Sequence, residues 1–283
     1  MEVVNSVDRM RELGREWRAT SGTKTVLVPT MGALHRGHGR LIQKAAAYGD
    51  RVVVSSFVNP IQFNDPNDLQ NYPRNPEADK EICEKLNVAV FFEPPAEEMY
   101  PHGFLTSVNV SHLSTKIEGA SRPGHFRGVT TVVAKLFNIV QPHVAVFGHK
   151  DAQQLVIIRH MVRDLCFDVE IVAIPTERDK TGLALSSRNQ LLDDEGRKKA
   201  LCLVRALKRV HFLVKKQNIT HCGELLQAVR SALNSAGPGV EYDYAEIVSR
   251  LTLEPLSHVE RGNTLVLVAA KVDGIRLIDS SRL

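Results

Sequence analysis

The sequence predicts an α/β protein: a Rossmann-like, doubly wound parallel sheet followed by a smaller α+β domain. Residues 1–175 alternate short apolar runs with helical patterns, and the runs are continuous, as in strands that are covered on both faces. After about residue 177 the order changes to two long helical patterns and then three strands. A chain of 283 residues suits two domains of ordinary size. We therefore expect a first domain over residues 1–176 and a second over residues 177–283.

The first domain is predicted to alternate strand and helix. Apolar runs indicate strands over residues 24–30, 51–58, 88–94, 143–148 and 169–175. The spacing of apolar residues indicates helices over residues 39–48, 76–86, 128–140 and 151–165. Pro29 is expected to end the first strand, and Gly49 to cap the first helix. Because parallel sheets bind ligands beyond the carboxyl ends of their strands, we expect the functional residues there.

The second domain is predicted to contain two helices and three strands. Helical patterns cover residues 193–217 and 222–237, and strand patterns cover residues 241–249, 264–272 and 275–280. The last two strands are separated by Asp273 and Gly274, a pair that is typical of tight hairpin turns. These elements make up the smaller α+β domain.

The composition indicates an ordinary hydrophobic core and disfavours several classes of protein. Apolar residues make up 43% and charged residues 24%. The 36 Lys and Arg exceed the 32 Asp and Glu by a formal +4, which is too small and scattered to argue for nucleic acid. No apolar run approaches the ~20 residues of a membrane span, and charges interrupt the N-terminal segment where a signal peptide needs an apolar stretch. Four widely spaced cysteines form no CxxC pair, so we expect reduced thiols and a cytoplasmic protein.

The segment Val28–Ile42, VPTMGALHRGHGRLI, connects the first predicted strand to the first predicted helix. Helix N-termini offer unpaired N–H groups, and two histidines can donate hydrogen bonds to phosphate as neutral rings or as cations. Gly32 and Gly37 would let the backbone approach a ligand. A strand-to-helix turn with solvent-facing histidines is the simpler alternative. A zinc site is disfavoured, because His35 and His38 are three residues apart and have no further ligand nearby.

Two further segments carry polar residues that could bind a ligand. Asn59 and Gln62 lie just past a predicted strand and could bind a small polar molecule, although an exposed turn is the favoured interpretation of that stretch. In residues 118–131, EGASRPGHFRGVTT, a basic loop with glycines precedes a long helix. An anion site and a solvated basic loop are equally supported there.

The remaining candidate segments are FGHKDAQQL, residues 147–155, and GLALSSRNQLL, residues 182–192. Lys150 could neutralise phosphate charge, whereas Asp151 could simply cap the next helix. Arg188 and the two serines before it could close over a triphosphate, or the serines could cap a helix. Together the five segments place histidines, a lysine and arginines at one end of one sheet, without a nucleophile and general base. That pattern favours nucleotide transfer, in which positioning and charge stabilisation dominate catalysis.

The chain also carries a series of motifs in a fixed order: PTMGALHRGH, FVNPIQF, YPR, EGASRPGHFRGVTTVV, FGHKD, QQL, GLALSSRNQ and RLID. With these motifs it resembles the pantothenate synthetase (pantoate–β-alanine ligase) family over nearly its whole length. The HxGH element and the Ser-Ser-Arg loop are also similar to those of the wider nucleotidylyltransferase superfamily. The resemblance implies condensation of (R)-pantoate with β-alanine through a pantoyl adenylate, giving pantothenate, AMP and pyrophosphate.

The resemblance implies a role for each residue that matches a motif. The implied catalytic residues are His35, His38, Lys150 and Arg188, with His38 as the family's proton donor. The implied ATP contacts are Met31, Gly32, Ala33, Leu34, His35, Arg36, Gly37, His38, Gly148, His149, Lys150, Asp151, Glu177, Leu185, Ser186, Ser187 and Arg188. The implied contacts of pantoate or β-alanine are Pro29, Thr30, Met31, Gln62, Arg122 and Gln154.

The resemblance further implies ATP with Mg²⁺ as co-substrate and a homodimer formed through the first domain. No metal site in the protein itself is expected, because the acidic run that some relatives use for magnesium is reduced to Glu77 and Asp79. Gly39 and Glu177 stand where relatives usually have apolar residues, and Thr181 replaces a usual Asp. Two other functions stay open at this point: a nucleotidylyltransferase that stops at a nucleotidyl product without β-alanine, and a nucleotide-binding regulator with a decayed site.

Overall fold

The structure, a computed structural model, describes all residues from Met1 to Leu283. Its larger sheet consists of β1 (Glu2–Val4), β2 (Thr25–Thr30), β3 (Arg51–Ser56), β4 (Val90–Phe92), β5 (Val144–Gly148) and β6 (Glu170–Ile174). These strands lie in the order β1-β4-β3-β2-β5-β6, and every neighbouring pair is parallel. The predicted Rossmann-like α/β class is confirmed.

Helices connect and cover these strands: α1 (Val7–Ala19), α2 (Arg36–Ala45), α3 (Pro66–Gln70), α4 (Pro76–Lys85), α5 (Ala96–Met99), α6 (Glu118–Ser121), α7 (His125–Val140) and α8 (Ala152–Asp164). Helix α7 is buried along nearly its whole length. Its apolar side chains pack with Leu27 of β2 and Phe147 of β5 in the largest hydrophobic cluster. No helix in the chain combines the length and apolarity that crossing a bilayer would require.

The smaller domain contains α9 (Asp194–Gln217), α10 (Cys222–Asn234), β7 (Val240–Ser249), β8 (Thr264–Val272) and β9 (Ile275–Arg282). The three strands form an antiparallel sheet in chain order, and Asp273-Gly274 makes the predicted hairpin turn between β8 and β9. Both turn residues have positive φ, 48° and 82°. Val248 and Leu267 of this sheet join the large cluster of the first domain, so the two domains pack against each other.

The larger sheet reverses its winding direction between β2 and β5. Strands β3 and β4 lie on one side of β2, and β5 and β6 lie on the other. Beyond the carboxyl ends of two such strands a crevice opens, and ligands bind there in sheets of this kind. Thr30 ends β2 and Gly148 ends β5, so the segments that follow both strands face one crevice.

Two sequence predictions about the first strand and helix were wrong. Strand β2 continues through Pro29 to Thr30. The ladder between β2 and β5 stops at Leu27, so no partner on that side requires the N–H that proline lacks. Gly49 does not cap α2, which ends at Ala45 and is followed by Ala46. A Cβ atom at Gly49 would lie 2.6 Å from the carbonyl oxygen of Lys24, so close packing explains this glycine.

Candidate active site

The two histidines of the HxGH element cap the start of α2. The Nδ1 atom of His35 accepts a hydrogen bond from the N–H of Gly37 at 3.0 Å, and Nδ1 of His38 accepts one from the N–H of His35 at 3.3 Å. The rings stack with their centroids 4.0 Å apart. Because both Nδ1 atoms act as acceptors, each neutral ring carries its proton on Nε2. Both rings line the crevice, so these N–H groups are available to a ligand.

The environment of the two rings keeps them neutral. Burial, and then the charge of Lys150, lower the pKa of His35 to about 4. Burial, followed by His35 and Lys150, lowers the pKa of His38 well below its ordinary value. At neutral pH the pair therefore offers two hydrogen-bond donors and no charge. Hydrogen-bond donation by neutral rings is therefore favoured over donation by cations.

The loop between β2 and α2 is held by a buried carboxylate. Asp79 is 2% exposed, and its Oδ2 and Oδ1 atoms accept hydrogen bonds from the N–H groups of Ala33 at 2.8 Å and Leu34 at 2.6 Å. The Thr30 hydroxyl accepts one from Gly32 at 3.1 Å. The N–H groups of three residues predicted to contact ATP, Gly32, Ala33 and Leu34, are thus already engaged. The same contacts occupy Asp79, one of the two acids considered for magnesium.

Gln62 is fixed by a chain of buried polar side chains. Its Nε2 lies 2.9 Å from the sulfur of Met31, and its Oε1 accepts a hydrogen bond from Asn59 at 2.9 Å. The Oδ1 atom of Asn59 in turn accepts one from the Tyr100 hydroxyl at 2.7 Å. Asn59 is 1% and Gln62 8% exposed, so the interpretation of this segment as an exposed turn was wrong. Asn59 positions Gln62, which lines the crevice.

The crevice beyond Gln62 is partly apolar and has an empty volume of about 880 Å³. One wall is formed by apolar side chains of α7 and β5, namely Val129, Val132, Val133, Leu136 and Phe147. Polar groups on other walls come from Gln62, Gln154 and His38. An apolar wall that faces polar groups suits a small branched molecule with a polar end.

The segment after β5 brings a cation and a carboxylate to the crevice. Lys150 and Asp151 both line it, with Nζ and Oδ2 3.9 Å apart. Asp151 occupies the N-cap position of α8, but its side chain makes no capping hydrogen bond. The carboxylate is therefore available to a ligand, and the capping interpretation does not account for it. A Cβ atom at Gly148 would meet no heavy atom within 4 Å, so this glycine faces open space.

Arg188 reaches the crevice from the segment between β6 and α9. Its guanidinium pairs with both carboxylate oxygens of Asp68 on α3 and lies 5.6 Å from the centre of the Tyr72 ring. The hydroxyl of Ser187 donates to the carbonyl of Ala33 at 3.1 Å, which ties the Ser-Ser-Arg loop to the loop after β2. Asp68 was not predicted as a site residue, because a single acid in a turn-rich stretch gives no indication of a functional role.

Arg122 lies in a second cavity that adjoins the crevice and shares Gln62, Lys150 and Arg188 with it. The side chain of Arg122 is 12% exposed and lies 3.5 Å from Glu118. Glu118 in turn accepts hydrogen bonds from both terminal nitrogens of Arg276 on β9 and from the Tyr244 hydroxyl on β7. All three side chains line the cavity, and none of them was predicted as a site residue. Burial alone would raise the pKa of Glu118, but Arg276 and Arg122 outweigh it and keep the carboxylate charged.

Other predicted ATP contacts do not line the crevice or the adjoining cavity. They are Gly32, Ala33, Leu34, Arg36, Gly37, Gly148, His149, Glu177 and Leu185. Glu177 lies 3.7 Å from Arg36, so its unusual negative charge has a partner, and its carbonyl accepts from the N–H of Leu185. Nothing in the structure requires a glycine at Gly39, where a Cβ atom would meet only Leu86 at 3.8 Å.

A doubly wound sheet whose reversal point gathers N–H donors, a lysine and an arginine around a partly apolar pocket defines a nucleotide-binding α/β enzyme. The model of the Pantoate-beta-alanine ligase family matches residues 2–282. The chain therefore belongs to the pantoate–β-alanine ligase family, and its activity is the ATP-dependent ligation of pantoate with β-alanine to give pantothenate.

Individual relatives agree with this membership over nearly their full lengths. A pantothenate synthetase from Koribacter versatilis is 48% identical over 99% of this chain and 95% of that protein. The crystal structure of pantothenate synthetase from Thermus thermophilus is 46% identical, with a TM-score of 0.92 over 100% of this chain and 99% of its own. A Francisella tularensis pantoate-beta-alanine ligase, complexed with beta-gamma ATP and beta-alanine, is 32% identical, with a TM-score of 0.77 over 100% of this chain and 97% of its own.

Proposed function

We propose that the reaction proceeds through a pantoyl adenylate formed in the crevice between β2 and β5. One carboxylate oxygen of pantoate attacks the α-phosphorus of ATP, and the bond from that phosphorus to the pyrophosphate oxygen breaks. The amine of β-alanine then attacks the acyl carbon, the bond from that carbon to the AMP oxygen breaks, and the nitrogen loses a proton. The observation that supports this most is the convergence of two ring N–H groups, Lys150 and Arg188 on one partly apolar pocket.

The histidines and cations would act where negative charge builds up. The Nε2–H groups of His35 and His38 would donate to phosphate oxygens, while Lys150 and Arg188 stabilise the charge on the transferring and leaving phosphates. Because the pKa of His38 is lowered by burial, this ring suits hydrogen-bond donation in the resting site. Bound phosphate would raise that pKa, and the proton-donor role that the family resemblance implies for His38 requires this change.

The nucleotide would be held by backbone and side chains around the crevice. ATP would be contacted by the loop Met31–His38, the backbone from Gly148 to Asp151, Glu177 and the residues Leu185–Arg188. Asp151 would accept hydrogen bonds from the ribose, since its carboxylate makes no cap. Magnesium would enter with ATP as part of that substrate, because Asp79 is engaged by backbone N–H groups and Glu77 pairs with Lys80.

Pantoate would occupy the pocket against α7. Its gem-dimethyl group would pack on the apolar wall, and its polar groups would meet Gln62 and Gln154, with Pro29, Thr30 and Met31 closing the β2 side. Arg122 faces the adjoining cavity, which shares Gln62 with the pocket, so its charge would hold the β-alanine carboxylate with the amine directed at the acyl carbon.

The adenylate can be tested by isotope transfer. The enzyme is incubated with ATP, Mg²⁺ and pantoate carrying ¹⁸O in its carboxylate, β-alanine is added, and the AMP is analysed by mass spectrometry. One labelled oxygen per AMP is expected, because the acyl oxygen that attacked phosphorus leaves with AMP. Unlabelled AMP would refute the intermediate.

The catalytic assignment is tested by matched lysine variants. Lys150→Ala should lower turnover by ~10²-fold or more without unfolding, whereas Lys44→Ala on the exposed face of α2 should retain wild-type turnover. Near-normal turnover of the Lys150 variant would exclude its role.

We also propose the domain division at residues 176/177, a homodimer through the first domain and a cytoplasmic location. The family resemblance supports the dimer, and the boundary falls between β6 and the segment that leads to the Ser-Ser-Arg loop. Light scattering during size-exclusion chromatography should give twice the chain mass of 31.5 kDa, and a monomer mass would reject the dimer.

A further inference from the structure

Four basic side chains lie close together where β9 and the end of β7 meet the segment after β5. They form what we call the interface arginine cluster: His149, Arg159, Arg250 and Arg282. None of its three arginines has an acidic oxygen within 4.0 Å. Other arginines that link distant parts of the chain do have such partners, as Arg178 has in Asp279. In the cluster, by contrast, three arginines without an acidic partner lie close enough together for their charges to interact.

Both domains contribute to the cluster. Arg282 ends β9 and donates a hydrogen bond from Nη2 to Nδ1 of His149 at 2.8 Å. The hydroxyl of Ser280 donates to the carbonyl of His149 at 3.0 Å. Arg250 follows β7, and Arg159 lies on α8. These hydrogen bonds fix the histidine against the second sheet, and Arg159 and Arg250 lie near enough to it for their charges to act on it.

The charges of the cluster are not compensated within the chain. The Nε atom of Arg250 is buried and has no hydrogen-bond partner. Burial, and then the charge of Arg250, lower the pKa of Arg159, and burial followed by Arg250 and Arg159 lowers the pKa of Arg282. A buried guanidinium N–H without an acceptor is costly, and like charges in a partly buried place repel one another. An anion with several acceptor oxygens would remove both costs.

We propose that the interface arginine cluster is a binding site for a small multivalent oxyanion of the phosphate class. Guanidinium groups present planar pairs of N–H donors that match two oxygens of such an anion, and the bonds are charge-assisted. His149 would add one donor, because its Nδ1 accepts from Arg282 and its proton lies on Nε2. Since the arginines come from both domains, the anion would stabilise their docking. None of its four side chains lines the crevice or the adjoining cavity, and its existence does not depend on the proposed adenylate mechanism.

The test measures thermal unfolding of the full chain in inorganic phosphate and in chloride at equal ionic strength. Because phosphate could also bind among the ATP-binding residues, the background is the Lys150→Ala variant. Phosphate in about tenfold excess over its dissociation constant should raise the unfolding midpoint by on the order of 3 °C relative to chloride. Adding Arg250→Gln should abolish this rise, while adding Arg15→Gln, on the exposed face of α1, should leave it intact.

A second variant keeps the test decisive if Arg250→Gln does not fold. Arg282→Gln removes a more exposed member of the cluster and should reduce the phosphate-dependent rise at least twofold. In chloride alone, the Arg282→Gln protein should be as stable as the background or more so, because one of the repelling charges is gone. No phosphate-specific rise in the background, or an unchanged rise in both cluster variants, would overturn the proposal.

Discussion

The carboxylate of Asp68 and the guanidinium of Arg188 form an ion pair in which one nitrogen, Nη2, lies 3.0 Å from Oδ1 and 2.8 Å from Oδ2. Asp68 lies on α3 and Arg188 lies between β6 and α9, and the Arg188 guanidinium also lies over the ring of Tyr72. Arg122 approaches the same carboxylate at 3.8 Å. One acid on α3 therefore sets the direction of an arginine that we place at the transferring phosphate.

We expect Asp68→Asn to lower kcat on the order of tenfold, because the neutral amide holds Arg188 less firmly and small misplacements of a catalytic group are costly. Steady-state assays of AMP release with saturating substrates measure this. Asp65→Asn is the matched control, since Asp65 caps the same helix through the N–H of Asn67 and has no hydrogen bond to Arg188. Equal kcat values for the Asp68 variant and wild type would contradict the positioning role.

The hydrogen bonds that link Tyr100, Asn59 and Gln62 predict that a residue outside the crevice affects pantoate binding. Tyr100→Phe removes the hydroxyl that donates to Asn59 and leaves the ring in place. Asn59 would then hold Gln62 less well, and the KM for pantoate should rise by about 3- to 10-fold while the KM for ATP stays constant. Initial rates with each substrate varied separately provide the measurement. A parallel rise in both KM values would mean that the change is not local to the pantoate pocket.

The neutral histidines predict how stability depends on pH. The pKa of His35 is lowered to about 4 by burial and then by Lys150, whereas the unfolded chain has the ordinary value of 6.5. Between these values the unfolded state binds more protons, so the free energy of unfolding should fall as the pH drops from 6.5 to 4. His35→Asn keeps an acceptor at the N-cap and should reduce that fall by on the order of 1–2 kcal/mol.

Urea unfolding at a series of pH values between 4 and 7 measures this slope. His102→Asn, at an exposed position between α5 and α6, is the control and should retain the slope of the wild type. If His35→Asn also retains the full slope, the buried neutral ring is not its source.

Substitution by alanine is expected to be tolerated by the fold at Gly148 and to prevent stable folding at Gly128. A Cβ atom at Gly148 meets nothing within 4 Å and projects into open space beside the proposed nucleoside site. Gly148→Ala should therefore fold with a change in unfolding free energy within ~0.5 kcal/mol, while the KM for ATP rises about tenfold. Gly128→Ala places its Cβ 2.5 Å from the carbonyl oxygen of Ile61 and should not give a stable protein. An unaltered KM for ATP in the Gly148 variant would show that the nucleoside lies elsewhere.

Much of the fold could be predicted because buried parallel strands and long amphipathic helices produce strong local patterns. The strands near residues 24–30 and 143–148 and the helix after residue 151 lie close to their predicted bounds. Short elements were not predicted. Strand β1 has only three residues, and its pairing with β4 is not visible in the local sequence. Helix α7 begins at His125, three residues before the prediction, because Gly124 with a φ of 83° turns the chain into it.

The sequence predicted which segments form the site, but it did not predict which side chains contact one another there. His35, Lys150 and Arg188 stood out because charge and glycine near strand ends are unusual. Asp68 and Asn59 did not, because acids and amides in turn-rich stretches are common and their importance comes from partners far along the chain. Arg276 lies 158 residues from its partner Glu118, a separation that no local pattern encodes.

The histidine cap of α2 has a consequence for how this segment can change during evolution. Each ring uses one nitrogen to accept a backbone N–H and presents the other to the crevice. An asparagine could replace the acceptor but not the distant donor, and a lysine could replace the donor but not the acceptor. Only an imidazole carries both on a rigid frame. Selection for catalysis therefore also preserves the start of the helix, and substitution of His35 or His38 would affect both.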